Sequence, residues 1–227
     1  SSSPGFLIDD GIAANDQDPE GGPLAVEIEL LTFPQHSAQF DLNSDGTFTY
    51  RPLPNFNGID RFTYRVNDGV LTSNNIGTVT INVSEVNDAP VAGNDTATID
   101  EDTVLNVSEA SLLSNDAAGP ANEASQTIRI TGVTPISMQG GTVRLENGRV
   151  IYTPPSNYSG PDAFSYTVTD NGTTGGLPAP QSSTGIVNVT VLDKNDAPIT
   201  VPKSGTTAER TAVNFTIAFL TAGDLPG

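Results

Sequence analysis

The sequence predicts an all-β protein made of tandem β-sandwiches, and three observations carry that prediction. Apolar residues alternate with polar ones at period two over short stretches. The 22 glycines and 17 prolines punctuate the 227 residues too often for long helices. One block also occurs twice: Asp45–Asp68 (DGTFTYRPLPNFNGIDRFTYRVND) aligns without gaps on Asn147–Asp170 (NGRVIYTPPSNYSGPDAFSYTVTD). A repeat of about 100 residues, with turn signals between short strands, is the size of one sandwich.

The first unit, residues 1–88, opens on SSSPGFLIDDG, which has no basic start and no long apolar run, so no signal peptide or anchor is expected there. LAVEIEL alternates as a strand. Phe48 and Tyr50, then Phe62, Tyr64 and Val66, then Val79, Ile81 and Val83 form three more inward-facing rows, with Thr, Arg and Asn on the wet face. The linker EVNDAP, Glu85–Pro90, closes the unit.

The second unit, residues 89–196, begins with APVAGNDTATID, an opening strand without a counterpart in the first. Asn15 of NDQD aligns with Asn115 of NDAA, which sets Ser1 against Glu101. Val150 and Tyr152, then Phe164, Tyr166 and Val168, then Val187, Val189 and Val191 repeat the inward rows, and the strands are expected to be antiparallel. The extra residues of this unit fall in NGTTGGLPAPQSSTG, where a loop tolerates insertion. A second linker, DKNDAP (Asp193–Pro198), leads to the opening of a third unit, residues 197–227. An open edge in the first unit and a spare strand around Ala197–Thr216 predict head-to-tail strand exchange between copies, as in a filament subunit.

Acidic residues number 27 against 9 basic, a net charge of −18. Such a surface repels phosphate backbones and anionic membranes, so neither a nucleic-acid partner nor membrane insertion is expected. The most apolar stretch, VNFTIAFLTAG, is far short of the roughly 18 residues that read as a bilayer span. Two readings of the acidity stay open, solubility and clustering around divalent cations. The absence of cysteine excludes disulfides and zinc–thiolate sites. The one histidine, His36 in FPQHSAQF, reads as a solvated loop residue, and with no cysteine and no G-x-S-x-G an enzyme is not expected. There is no tryptophan to stack a sugar. Phe56 and Tyr158, in the NFNG and NYSG turns, are the aromatic residues expected outside the cores. They alone support the alternative of a carbohydrate-binding or accessory module of a secreted hydrolase.

VNDG followed by TVTINVSEVNDAP resembles the last strands and linker of a cadherin repeat. DGTFTYRPLPNFNGIDRFTYRVNDG and NDQDPEGGPL are similar to the bacterial, VCBS-type variety: Ig-like, Greek-key sandwiches strung along large extracellular adhesin-type proteins. The resemblance spans residues 1 to about 200. It implies a calcium-binding rod, secreted or on the cell surface, whose partners are the neighbouring repeats and a cell-surface glycan or protein.

The linkers have a physical reading of their own. Pro90 and Pro198 fix the backbone and hold the preceding alanine extended. Glu85, Asn87 and Asp88 then present oxygens at the first seam, and calcium takes six to eight such ligands. Two carboxylates about 4 Å apart repel by roughly 4 kcal/mol at an effective dielectric near 20, and a divalent ion reverses that sign. The resemblance implies that the first seam also enlists Asp68, Asn115 and Asp116, and the second Asp170, Asp193, Asn195 and Asp196. Asp16, Asp18 and Glu20 form a candidate calcium loop facing a preceding unit. An EF-hand is excluded there by Pro19, Pro23 and the strand pattern that follows. Glu101 and Asp102 in IDEDTVL resemble the acidic opening step of cadherin repeats, and read equally as acids guarding an edge strand. Each of these acids reads also as a turn residue capping local N–H groups.

Overall fold

The computed structural model describes residues 11–17, 27–68, 70–197 and 200–214. In the first repeat the strands are β1 (Glu27–Thr32), β2 (Ser37–Leu42), β3 (Phe48–Pro52), β4 (Gly58–Asn67) and β5 (Gly77–Val83). They form a sheet in the order β1-β4-β5 and a β2-β3 pair. The inward rows do what their period requires. Phe48, Tyr50, Phe62 and Tyr64 are buried with Ile12, and Phe40 of β2 meets Phe62 of β4 at 4.7 Å between ring centroids. Phe48 meets the same ring edge-on at 5.1 Å. Each fully buried ring contributes about 2–3 kcal/mol of transfer free energy, so this aromatic cluster ties the two sheets together.

The second repeat contains β6 (Asp95–Asp100), β7 (Leu105–Ser108), the single-turn helix α1 (Glu109–Leu112), β8 (Ile128–Val133), β9 (Thr142–Glu146), β10 (Arg149–Thr153), β11 (Gly160–Asp170), β12 (Thr173–Thr174), β13 (Leu177–Pro178) and β14 (Ser182–Leu192). Its sheets run β6-β14-β11-β8 and β7-β10-β9, with β12 and β13 forming a hairpin. The repeat is legible in the turns as well as the strands. Asn55 and Asn157 both have positive φ (61° and 54°), as do Gly58 and Gly160 that open β4 and β11. Asparagine and glycine tolerate that conformation best, which is why NFNG and NYSG recur.

The expectation of purely antiparallel strands is corrected in one place. β6 pairs with β14 in parallel, from Val187↔Asp95 to Leu192↔Asp100. A parallel pair needs a crossover connection, and the chain supplies one by passing through the other sheet between β6 and β14. β5 occupies the equivalent place in the first repeat and ends its sheet, with β4 as its neighbour among the described residues. The strand expected near Ala197–Thr216 is absent from the described residues of that segment, which are irregular apart from a turn. Extended backbone without a ladder partner has no hydrogen bonds to define a strand. Its turn nevertheless copies the second repeat: Arg210 has φ 59° where Asp102 has 56°, and Thr211 N–H bonds Ala208 O as Thr103 N–H bonds Asp100 O.

The chain divides into two compact units. One holds the described residues up to Gly93 with Leu113–Thr131 and Thr167–Thr184; the other holds Asn94–Leu112, Gly132–Tyr166 and the described residues from Gly185 on. The first linker therefore lies inside one unit, together with the part of the second repeat that surrounds it.

Candidate functional site: the first linker

Linker residues are ordinarily exposed, yet Asn87 is only 5% exposed and Pro90 is buried. The Asn87 amide donates to Asp170 Oδ1 and to Ala179 O, both at 3.0 Å, and accepts from Gln126 Nε2 at 2.8 Å. Its backbone N–H donates to Thr174 Oγ1 at 3.0 Å. On one side Glu85 O accepts from Gly175 N–H and Glu85 Oε2 from Thr173 Oγ1, each at 2.9 Å. On the other, Asp88 N–H donates to Glu123 Oε1 at 2.9 Å. Val91 exchanges two backbone bonds with Ala117, and Gly93 N–H donates to Asp116 Oδ1 at 2.7 Å.

Two carboxylates here are buried with half their capacity unused. Glu123 is 1% exposed and Asp170 5% exposed, and Glu123 Oε2 and Asp170 Oδ2 have no hydrogen-bond partner; neither has Gln126 Oε1. Buried acceptors left bare are costly, about 1–3 kcal/mol each and more when charged. Among the described residues no group of three or more His, Asp or Glu side chains gathers as a metal site. The oxygens available at the linker are instead a mixture: two bare carboxylate oxygens, a bare amide oxygen, and the side chains of Glu85, Asn87 and Asp88. Hard oxygen donors of this kind suit calcium and not a soft metal.

The family model described as a cadherin-like domain matches residues 86–186, and that described as a bacterial cadherin-like domain matches residues 3–85. The chain belongs to the cadherin-like family, and its first repeat matches the bacterial variety. Protocadherin Fat 1 of Homo sapiens is 34% identical over 142 residues, which is 60% of this chain and 3% of that protein, so the chain spans a small fraction of that relative. Among solved structures, human Protocadherin-24 EC1-2 is 15% identical, with 78% of this chain and 86% of that chain covered and a TM-score of 0.46. An endo-fucoidan hydrolase of glycoside hydrolase family 107 is 18% identical, with 76% and 24% covered and a TM-score of 0.29. Cadherin-like domains are typically non-enzymatic structural modules, extracellular and of the adhesion type.

Within this cadherin-like chain the structure brings Glu85, Asn87, Asp88, Asp116 and Asp170 to the first linker. Two seam assignments are thereby corrected. Asp170, expected at the second seam, hydrogen-bonds Asn87 at the first. Asp68, expected at the first seam, leaves β4 at the far end from it. β4 and β5 are antiparallel with Gly58 opposite Val83 and Tyr64 opposite Gly77, so the residues after Asn67 point away from the linker that follows Val83. Asp68 instead caps its own turn, accepting from Leu71 and Val70 N–H, and these two bonds hold its carboxyl below the usual range.

Asp16 accepts from Tyr64 Oη at 3.1 Å, in the first repeat; Asp18 and Glu20 lie outside the described residues. Glu101 is buried and accepts from Lys194 N–H at 2.6 Å, while Lys194 Nζ bonds Asp100 at 2.7 Å. Asp102 caps Asn157 N–H at 3.2 Å. Asn115 packs against Gly93, where a Cβ would stand 2.6 Å from its Nδ2. Asp193, Asn195 and Asp196 are exposed. His36 is not simply a solvated loop residue: its ring stacks on Phe56 at 4.2 Å and 5° between planes, and its backbone N–H donates to Asp60.

Sequence reasoning missed Glu123, Gln126 and the β12–β13 hairpin. It also missed a pair of buried acids, Asp60 and Asp162. Asp60 accepts from Gln35, His36 and Arg61 N–H and from Tyr50 Oη; Asp162 accepts from Ser137 Oγ, Tyr152 Oη and the Gln139 and Ala163 N–H groups. A signal for these was present, because Asp60 is in phase with Phe62 and Tyr64, and Asp162 with Phe164 and Tyr166. An acid in the buried phase of a strand, present in both copies, marks an internal hydrogen-bond hub. For Glu123, in the unmatched stretch PANEASQ, no such signal exists.

Proposed function

We infer that this chain is a spacer of an extracellular adhesive protein, with repeats dividing at 88/89 and 196/197 and calcium stiffening the linkers between them. The observation that carries the calcium reading is the pair of bare, buried carboxylate oxygens, Glu123 Oε2 and Asp170 Oδ2, on the shell around Asn87 and Asp88. Glu85, Asp88, Asp116, Glu123 and Asp170 would hold the ion at the first linker, around the amide of Asn87. Glu101, Asp193, Asn195 and Asp196 would contribute at the second, and Asp16 and Asp68 at the beginning of the first repeat. When bound, calcium supplies the positive charge that two buried carboxylates lack. The chain's own part is to fix those oxygens with backbone donors, as Gly172 and Gln181 N–H do for Asp170 Oδ1.

Stiffness matters because a spacer projects a binding surface by its length, and slack junctions shorten its mean reach. A cell-surface glycan or protein is the partner such an arrangement serves. Among the described residues no helix is long and apolar enough to cross a membrane. The accessory-module alternative has less support: the ring of Phe56 stacks on His36 and the Tyr158 hydroxyl bonds Pro161 O, so both aromatic residues it needs are engaged by the fold.

Calcium titration followed by calorimetry tests the reading. Saturation at about 100 times Kd stabilises by about 2.7 kcal/mol. The melting temperature should rise with calcium, fall back with chelator, and rise less in Glu123→Gln and Asp170→Asn. A wild-type melting curve indifferent to calcium and chelator overturns it.

A further inference from the structure

We propose that Asn87 is a latch that seats the first linker on the second repeat without a metal, and that Gly172 and the β12–β13 hairpin are the socket it fits. The proposal goes beyond the calcium reading and does not depend on it.

The side chain offers two N–H donors and two oxygen lone pairs. Three of these four are used by protein groups, Asp170 Oδ1, Ala179 O and Gln126 Nε2. The backbone N–H of the same residue takes a fourth bond, to Thr174. The socket is cut for this residue. Gly172 is buried, and a Cβ there would stand 1.7 Å from Asn87 Oδ1 and 2.1 Å from its Cγ. Any side chain at 172 would expel the amide. Thr173 and Gly175, from the same hairpin, hold Glu85. All of these groups except Gln126 belong to the stretch inserted in the second repeat or lie beside it.

Chemistry separates this latch from a cation site. The amide is neutral, and its NH2 already places donors on Asp170 Oδ1 and Ala179 O. An aspartate at 87 would set a carboxylate against Asp170 instead, an arrangement that needs a cation or a shared proton to hold it. Asn195, the corresponding residue of the second linker, is exposed.

Amide hydrogen exchange of the full chain, read at Asn87 and Gly175 with calcium and with chelator, decides the matter. Wild type should keep both amides protected in the two conditions. Asn87→Ala and Gly172→Ala should speed exchange at Gly175 by about tenfold or more in both. Asn87→Asp should exchange fast in chelator and slow in calcium. Should Gly172→Ala fail to fold, Asn87→Ala and Thr174→Val carry the test. The latch is overturned if chelator alone opens the wild-type amides as far as Asn87→Ala does, if Asn87→Ala leaves them protected, or if Asn87→Asp stays protected in chelator. A calcium-indifferent melting curve with the latch pattern intact would remove the metal reading alone.

Discussion

The loops that follow β4 and β11 begin alike and end differently. Each opens on an aspartate whose Oδ1 accepts backbone N–H groups just ahead of it, Val70 and Leu71 for Asp68, Gly172 for Asp170. Beyond that point the first loop turns back directly, with Ser73 N–H on Val66 O, whereas the second extends into the β12–β13 hairpin. Asp68 is left partly exposed and Asp170 is buried under Asn87. The shared strand pattern therefore fixes the aspartate turn, and in the second repeat the inserted residues build the face beside it that receives the first linker.

The same pairing of copies ranks the buried acids, where the largest effects are expected. Asp162 collects two buried hydroxyls, from Ser137 and Tyr152, at 2.6 Å each. Asp60 collects one hydroxyl, from Tyr50 at 3.1 Å, and two of its backbone donors belong to the half-exposed Gln35–His36 turn. Replacing Asp162 by alanine should cost about 4 kcal/mol, because buried hydroxyls and amides lose their acceptor together. Asp60→Ala should cost about 2–3 kcal/mol, since water can reach part of what is freed. Urea unfolding of each variant measures both. Equal costs would show that burial of the donors does not set the penalty.

A smaller difference is expected at a pair of glycines. A Cβ on Gly185 would stand 2.4 Å from the Tyr166 ring, and one on Gly77 2.5 Å from the Tyr64 ring. The clash is the same but the strands are not. β14 is hydrogen-bonded on both sides, to β6 and β11, whereas among the described residues β5 is paired with β4 alone, and a strand paired on one side can shift outward. Gly185→Ala should therefore cost about 2–3 kcal/mol and Gly77→Ala about 1 kcal/mol. Thermal melts of the two variants check the order, and a larger loss at Gly77 would mean that edge strands yield no more readily than central ones here.

These pairs also mark how far the sequence could be read. The inward rows Phe62–Tyr64 and Phe164–Tyr166, the asparagine–glycine turns and the linkers were legible because a period of two and a repeated block fix strand, face and turn together. The parallel partnering of β6 with β14 was not, since alternation says which face a residue takes and nothing of its neighbour's direction. Seam membership was misplaced for Asp68 and Asp170 because it depends on which end of an antiparallel strand lies beside the linker. The socket for Asn87 was hidden for a different reason. Gly172, Thr174 and Gln126 come from an insertion and a loop that have no copy in the first repeat, so no comparison within the chain could single them out.

The gentlest way to separate the two repeats is by pH, through groups whose protonation the fold resists. Burial pushes the carboxyls of Asp60 and Asp162 up, but the hydrogen bonds each accepts outweigh it, so both titrate below their ordinary value of 3.8. A folded-state value below the unfolded one stabilises above the ordinary carboxylate range, and that contribution is lost as pH falls through the lowered values. The tyrosines act in the opposite sense. Burial, reinforced by Asp60, pushes Tyr50 from 10.0 up to about 12, and burial, with the charge of Asp16, pushes Tyr64 equally far. Burial and Asp162 raise Tyr152 further still. Their contribution is complete below about pH 10 and is lost as pH rises through the raised values. Urea midpoints against pH should therefore show a plateau with an acid limb set by the two aspartates and an alkaline limb set by the tyrosines. Tyr64→Phe should lower the whole curve modestly and soften the alkaline limb of the first repeat, while leaving the acid limb where it is. An acid limb that moves with Tyr64 would place its origin outside Asp60 and Asp162.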